Sequence, residues 1–214
     1  MSGHSHTGVK ICGLTEEAGF DACVENGADW IGFVFFERSP RFVTPQHAAR
    51  LAQRQLGQSK TVGLFVHPSD EDIARVLEHT PLDVVQIYAS DERARQVSDI
   101  FDLPVWLSFP VSGREDLPQS CPVQRMLIEP RPPKNATRPG GNAQQLDWSM
   151  LEGWQPTFPW MLAGGLRVDN VADAIRLTGV PAVDVSSGVE SAPGIKDPTL
   201  IANFVRNART ADKI

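Results

Sequence analysis

Residues 30–36 read Trp30-Ile31-Gly32-Phe33-Val34-Phe35-Phe36. Every position is apolar or glycine, with no alternation of apolar and polar side chains. A strand of this kind is covered on both faces, as in a parallel sheet packed under helices or closed on itself. The same reading extends outward in both directions. Upstream, Val9-Lys10-Ile11-Cys12 is a shorter run of similar character. Between the two lie helix-forming residues 16–25, closed by Asn26-Gly27 as a helix C-terminus is. Downstream, Thr44-Pro45 caps and starts a helix predicted to reach about Leu56. A third strand follows at 61–66. Ser69 or Asp70 then caps a helix that ends near His79. The fourth strand spans 83–88, and Asp91 opens the next helix.

The rest of the chain keeps the alternation. Strands are predicted at 103–109, 123–129, 160–163 and 182–185, with a weaker helical segment around Asp116. Asp169 is expected to cap a helix closing at Thr178-Gly179, and the last helix runs from Asp197-Pro198 to about Arg209. Eight βα units within 214 residues predict an α/β fold, a single (β/α)8 TIM barrel at the small end of its size range. The rival is a doubly wound open sheet. It loses support because no G-x-G-x-x-G follows the first strand and no phosphate-binding P-loop occurs. The expected organisation is a flexible tail over 1–8 and one barrel domain over 9–210. Residues 130–146, rich in Pro, Gly, Asn and Arg, form the one long irregular stretch. A loop of that length inside a compact domain is usually functional, and its position makes it a candidate lid.

Composition narrows the function. Hydrophobic residues make up 41%, charged residues 21%, and the formal net charge is −6. No dense Lys/Arg run is present, so a nucleic-acid partner is not expected. No apolar stretch approaches the roughly 18 residues needed to span a bilayer, so no membrane role is expected. The opening MSGHSHTG carries no secretory signal pattern. The three cysteines, Cys12, Cys23 and Cys121, form no C-x-x-C pair and suit a reducing cytoplasm. Their spacing suggests neither a disulfide framework nor a zinc site.

A barrel places its active site at the C-terminal ends of its strands. That rule selects Cys12, the turn at 37–41, His67, Tyr88, Glu129, Gly164-Gly165 and Ser186-Ser187-Gly188. A thiol at Cys12 acts as base or nucleophile if its pKa is lowered; its position fits a buried small hydrophobe equally well. Glu129, between Ile128 and Pro130, is a candidate acid with a raised pKa, although solvated charges at loop edges are commoner. Gly164-Gly165 and Ser187-Gly188 follow the last two strands, where barrels often bind phosphate; ordinary tight turns are the alternative. Arg41 is suited to clamp a carboxylate through two parallel hydrogen bonds, or is a plain surface arginine. Cys23 and Cys121 read as structural, His47 and His79 as surface residues, and the tryptophans mostly as packing.

Several of these residues carry a resemblance to a known family, the phosphoribosylanthranilate isomerases of tryptophan biosynthesis. The matching segments are Val9-Lys10-Ile11-Cys12-Gly13-Leu14-Thr15, Gly32-Phe33-Val34-Phe35-Phe36 with Ser39-Pro40-Arg41, and Leu162-Ala163-Gly164-Gly165-Leu166 with Asn170-Val171. The strongest is Val183-Asp184-Val185-Ser186-Ser187-Gly188-Val189-Glu190-Ser191, continued by Pro193-Gly194 and Lys196-Asp197. The resemblance implies a cofactor-free Amadori rearrangement of N-(5′-phosphoribosyl)anthranilate to the 1-amino-2-ketose. It implies Cys12 as general base and a strand-six carboxyl, here Glu129, as general acid. Arg41, Gln86, Tyr88 and Asp184 become substrate-binding residues, and Gly164, Gly165, Ser187 and Gly188 hold the phosphate. The implied partner is a phosphorylated small molecule, and the implied state is a monomer or weak homodimer.

The sequence departs from the family pattern in three places. Leu127-Ile128-Glu129 has Glu where the family has Asp. Gln86-Ile87-Tyr88-Ala89 stands where Gln-Leu-His-Gly is usual. Gly140-Gly141-Asn142-Ala143 lacks the final Gly of the loop before Leu146-Asp147-Trp148. None of the departures falls in the phosphate turns. They raise two alternatives: a divergent paralogue acting on another phosphorylated sugar-amine, and a non-catalytic barrel that binds a phosphometabolite. If Glu129 simply replaces the family's Asp, Glu129→Asp is expected to keep or improve turnover.

Overall fold

The computed structural model describes residues 6–54, 59–136, 138–140 and 144–211. Eight parallel strands form a closed barrel in sequence order: β1 (Gly8–Cys12), β2 (Trp30–Val34), β3 (Lys60–Val66), β4 (Val84–Tyr88), β5 (Val105–Val111), β6 (Arg125–Pro130), β7 (Trp160–Leu162) and β8 (Ala182–Val185). The helices are α1 (Glu17–Glu25), α2 (Pro45–Ala52), α3 (Asp70–Leu77), α4 (Asp91–Phe101), α5 (Val171–Thr178) and α6 (Pro198–Thr210). Pairing of β1 with β8 closes the ring.

Closure explains why the strands read as continuous apolar runs. Alternate side chains face outward, toward the helices, and inward, toward the axis. Val9, Ile11, Ile31, Phe33, Val85, Ile87, Met126 and Ile128 join the large cluster under the helices. The inward set fills the barrel in layers: Val62, Val84, Trp106, Leu127, Met161 and Ala182 lie toward the N-terminal end. There the Arg125 guanidinium stacks over Trp30 at 4.6 Å and Trp106 at 4.8 Å, plugging the floor. Cys12, Val34 and Leu64 form the upper layer.

Capping follows local chemistry. Thr44, Ser69, Ser90 and Asp197 accept hydrogen bonds from backbone N–H groups at the starts of α2, α3, α4 and α6, and Pro45 and Pro198 occupy first helical positions.

Some expectations shift. The cap of α5 is Asn170 rather than Asp169, whose carboxylate pairs with Arg167. β2 ends at Val34: Phe35 leaves the ladder to stack on Phe65, with ring centroids 5.3 Å apart. α2 ends at Ala52, and Leu56 lies outside the described residues. Among the described residues, β5 and β6 are followed only by short 3₁₀ turns, Arg114–Asp116 and Trp148–Leu151. Thr7 is buried and Gly8 already pairs with Ala182. A small antiparallel hairpin, β9 (Glu190–Ala192) with β10 (Ile195–Lys196), was not legible in the sequence pattern.

Candidate active site

The C-terminal rim of the barrel opens into a cleft. Cys12, Arg41, Gln86, Tyr88, Glu129, Gly164, Gly165, Asp184 and Ser187 all line it, so residues from four strands (β1, β4, β6 and β8) and from the segments after β2, β7 and β8 converge. Gly188 stands behind this wall, its Cα packed on the Leu166 carbonyl. His67 is exposed and does not line the cleft. His4, Gly141, Asn142 and Ala143 lie outside the described residues, whereas Pro130, Arg138, Pro139, Gly140 and Gln144 of the long loop form part of the wall.

Cys12 ends β1, 4% exposed, opposite Gly32 of β2. A side chain at Gly32 would come within 3.1 Å of the Cys12 Sγ and 3.2 Å of the Lys10 Nζ. The missing Cβ is what lets thiol and ammonium share this space. Strand periodicity puts Lys10 on the same inward face, and register sets it against Asp184 of β8, whose Oδ1 accepts from Nζ at 2.7 Å. Lys10 is fully buried. Burial pulls its pKa down, but Asp184 and Cys12 outweigh burial and hold it above its ordinary value, so it stays charged. Burial pushes the Cys12 thiol up despite the cation beside it, so the condition set for a reactive thiol, a lowered pKa, is not met by the resting group. A thiolate is therefore costly here, and Lys10 is the group that lowers that cost most.

Arg41 is buried, not a surface residue. Its Nε and Nη2 donate to the two oxygens of Glu190 at 2.6 and 2.8 Å. Lys196, also buried, donates to the same Glu190 at 2.8 Å and to the Ser186 carbonyl at 3.0 Å, and the Ser186 hydroxyl donates to the Cys12 carbonyl at 2.9 Å. Burial pushes Glu190 up, but Arg41 and Lys196 prevail and hold it below the usual carboxylate value. The bidentate clamp expected of Arg41 is thus satisfied inside the protein, leaving Nη1 for a ligand. Lys10, Glu190 and Lys196 are the site residues that sequence reasoning missed. For Lys10 a signal existed: a lysine two positions before Cys12 on a doubly covered strand must share its face.

Glu129 is the penultimate residue of β6, 7% exposed. Burial raises its pKa to about 8, with the Tyr88 hydrogen bond opposing, so the carboxyl is protonated at neutral pH. Its Oε2 accepts from the Tyr88 hydroxyl at 3.0 Å. Gln86 donates from Nε2 to the Ser108 hydroxyl at 2.9 Å.

Across the cleft, Gly164 and Gly165 take φ values of 89° and 67°, a left-handed conformation that glycine adopts freely. A Cβ on Gly165 would fall 2.5 Å from the Gln145 Cα, and one on Gly188 only 1.9 Å from the Leu166 carbonyl oxygen. These turns bring backbone against backbone and leave main-chain groups to form the wall, an arrangement suited to an anion. Among the described residues, no three His, Cys, Asp or Glu side chains converge closely enough to hold a metal ion. The site therefore offers a thiol beside a fixed cation, a protonated carboxyl, a buried arginine and a glycine-rich wall.

Comparison with known proteins points to one family. Residues 9–207 match the family model described as N-(5′phosphoribosyl)anthranilate (PRA) isomerase. A curated protein of that name from Paracoccus denitrificans is 51% identical over 207 residues, covering 94% of this chain and 96% of its own. One from Granulibacter bethesdensis is 48% identical over 205 residues, covering 95% and 98%. Among solved structures, the phosphoribosyl anthranilate isomerase of Thermotoga maritima superposes with a TM-score of 0.83 at 32% identity, covering 94% of this chain and 98% of its own. A further structure of the same family name contains reduced 1-(o-carboxyphenylamino)-1-deoxyribulose 5-phosphate, with a TM-score of 0.80 at 31% identity and coverages of 94% and 98%.

Proposed function

The chain belongs to the N-(5′-phosphoribosyl)anthranilate isomerase family, and from that premise we propose that it performs the family's reaction with Cys12 as general base and Glu129 as general acid. The protein is an isomerase of tryptophan biosynthesis, and the reaction is an Amadori rearrangement. Glu129 gives its proton to the ribose ring oxygen as the C1′–O bond breaks and the nitrogen lone pair forms C1′=N. Cys12, reacting as the thiolate that Lys10 stabilises, takes the proton from C2′, and the electrons of that bond flow back toward nitrogen. The resulting enol-amine becomes the ketose when C1′ gains a proton and the C2′ hydroxyl loses one. No atom enters or leaves overall, so the chemistry requires no cofactor and is an internal aldose-to-ketose redox exchange.

The observation that carries this assignment is the meeting, in one cleft, of a thiol beside Lys10 and a carboxyl kept neutral by burial. A base and an acid of opposite protonation demands are what ring opening and C2′ deprotonation require. The substrate phosphate is assigned to Gly164, Gly165 and Ser187, with Gly188 shaping the turn from behind. The anthranilate carboxylate is assigned to Arg41 Nη1, and Gln86 and Asp184 flank the sugar. The described part of loop 130–146 lines the cleft, as a lid would. No helix among the described residues is long and apolar enough to cross a membrane. A cytoplasmic monomer or weak homodimer, with no nucleic-acid partner, is the companion proposal.

Steady-state turnover of freshly generated N-(5′-phosphoribosyl)anthranilate, followed by loss of its fluorescence, tests the assignment. A kcat/KM of about 10⁴ M⁻¹s⁻¹ or more is expected; turnover at background would overturn it. Two variants probe the binding groups. Gly188→Ala forces a Cβ into the Leu166 carbonyl, so the turn must move. KM is expected to rise about tenfold or more, while kcat changes less. Arg41→Ala strips Glu190 of its bidentate partner. It is expected to raise KM at least as much as it lowers kcat and, unlike removal of a surface arginine, to lower Tm by several degrees, read by thermal unfolding.

A further inference from the structure

Two of the three sequence departures, Tyr88 on β4 and Glu129 on β6, touch each other. They lie on strands separated by β5, so neither is a chain neighbour nor a direct register partner of the other. The phenol and the longer carboxyl side chain together bridge the intervening strand, and the Tyr88 hydroxyl donates to Glu129 Oε2 at 3.0 Å. Glu129 Oε1 is buried and has no hydrogen-bond partner among the described residues. Next to Tyr88 on β4, two residues back, Gln86 donates to the Ser108 hydroxyl of β5 at 2.9 Å. Above Tyr88, Gly140 leaves no spare room: a Cβ there would sit 2.1 Å from the Tyr88 hydroxyl.

We propose that Tyr88 is a positioning residue for the general acid, occupying Oε2 so that the transferable proton of Glu129 resides on Oε1. A neutral carboxyl carries one proton on one of two oxygens. An oxygen that accepts from a phenol is the poorer place for it, so donation by Tyr88 selects the other. Oε1, buried and without a hydrogen-bond partner among the described residues, is the oxygen left to carry that proton. Tyr88 itself touches the acid rather than the reacting atoms, which revises its assignment as a substrate contact. Glu129 and Tyr88 then form one unit in which each length fits the other. Shortening the acid alone breaks that fit, so the expectation that Glu129→Asp keeps full turnover is reversed.

This inference rests on the isomerase reading, and the test separates the two. The full chain is compared as wild type, Tyr88→Phe, Glu129→Asp and Tyr88→His/Glu129→Asp, with circular dichroism confirming folding. Tyr88→Phe is expected to lower kcat about 10- to 100-fold with KM within about threefold, the loss expected when a hydrogen bond to an ionisable group is removed. It is also expected to move the limb of the pH–rate profile near pH 8 upward, because a donor that favours the ionised carboxylate is gone. Glu129→Asp is expected to lose about as much, and the double variant to recover about tenfold over Glu129→Asp. Infrared difference titration of the Glu129 carboxyl supplies a readout independent of substrate. Its midpoint should rise in Tyr88→Phe even if the wild type turns over a different sugar-amine. An unchanged midpoint, or Tyr88→Phe with wild-type kcat, would overturn the proposal.

Discussion

Cys12→Ala is expected to lower kcat by about 10³-fold, within the range that a positioned general base supplies, while KM stays within a few-fold. The thiol sits among groups that bind no phosphate, so ground-state binding survives its loss. What disappears is the thiol beside Lys10, the group proposed to take the C2′ proton. Because only one small group is removed from the top layer of the barrel, stability should change little, which separates a chemical loss from an unfolding one. Single-turnover kinetics make the cleanest measurement: ligand binding should still be seen by fluorescence quenching, with no product forming behind it. A variant with wild-type kcat would remove Cys12 from the mechanism. Cys12→Ser should fare little better, since an alcohol ionises far less readily than a thiol beside the same ammonium.

Glu129→Gln is expected to have two effects of opposite sign. Activity should fall by about 10²- to 10⁴-fold, the contribution of a general acid, and the limb of the pH profile near pH 8 should vanish. Stability should rise at alkaline pH. The folded carboxyl keeps its proton up to about pH 8, whereas the unfolded one, near its ordinary value of 4.5, loses it much earlier. The folded state therefore binds one extra proton between these limits. The carboxyl's contribution to stability is greatest below pH 4.5 and declines as pH rises toward 8, reaching several kcal/mol. An amide carries no such dependence. Thermal unfolding of both proteins should give similar Tm values near pH 5 and a Tm for Glu129→Gln higher by about 5 °C or more at pH 8.5. Equal Tm values at both pH values would mean that Glu129 is not held neutral by burial. The same burial that costs stability keeps the acid loaded at neutral pH, a trade seen where function requires a strained site.

Much of the site was legible before any coordinates. Eight apolar runs, each bounded by helix caps or glycines, predict a barrel, and a barrel's chemistry belongs at its strand ends. Cys12, Tyr88, Glu129 and the turns at 164–165 and 186–188 follow from that rule alone. Arg41 was legible as a candidate but not in its role, because its partner Glu190 is 149 residues away and belongs to a hairpin with no pattern of its own. The cap at Asn170 was misread by one residue because Asp169, equally suited as a cap, is drawn to Arg167.

Local composition determined the strands, the helices, the turns and the end of the barrel that does the chemistry, since each depends on neighbours within a few residues. Tertiary structure decided the electrostatics. Lys10 meets Asp184 across 174 residues because closing β1 onto β8 sets their register, and Tyr88 meets Glu129 because the closed barrel lets two long side chains reach across β5. Charges and hydrogen bonds in a buried site depend on which side chains the shear of the barrel brings face to face. Shear is a property of the closed ring, written in no single strand.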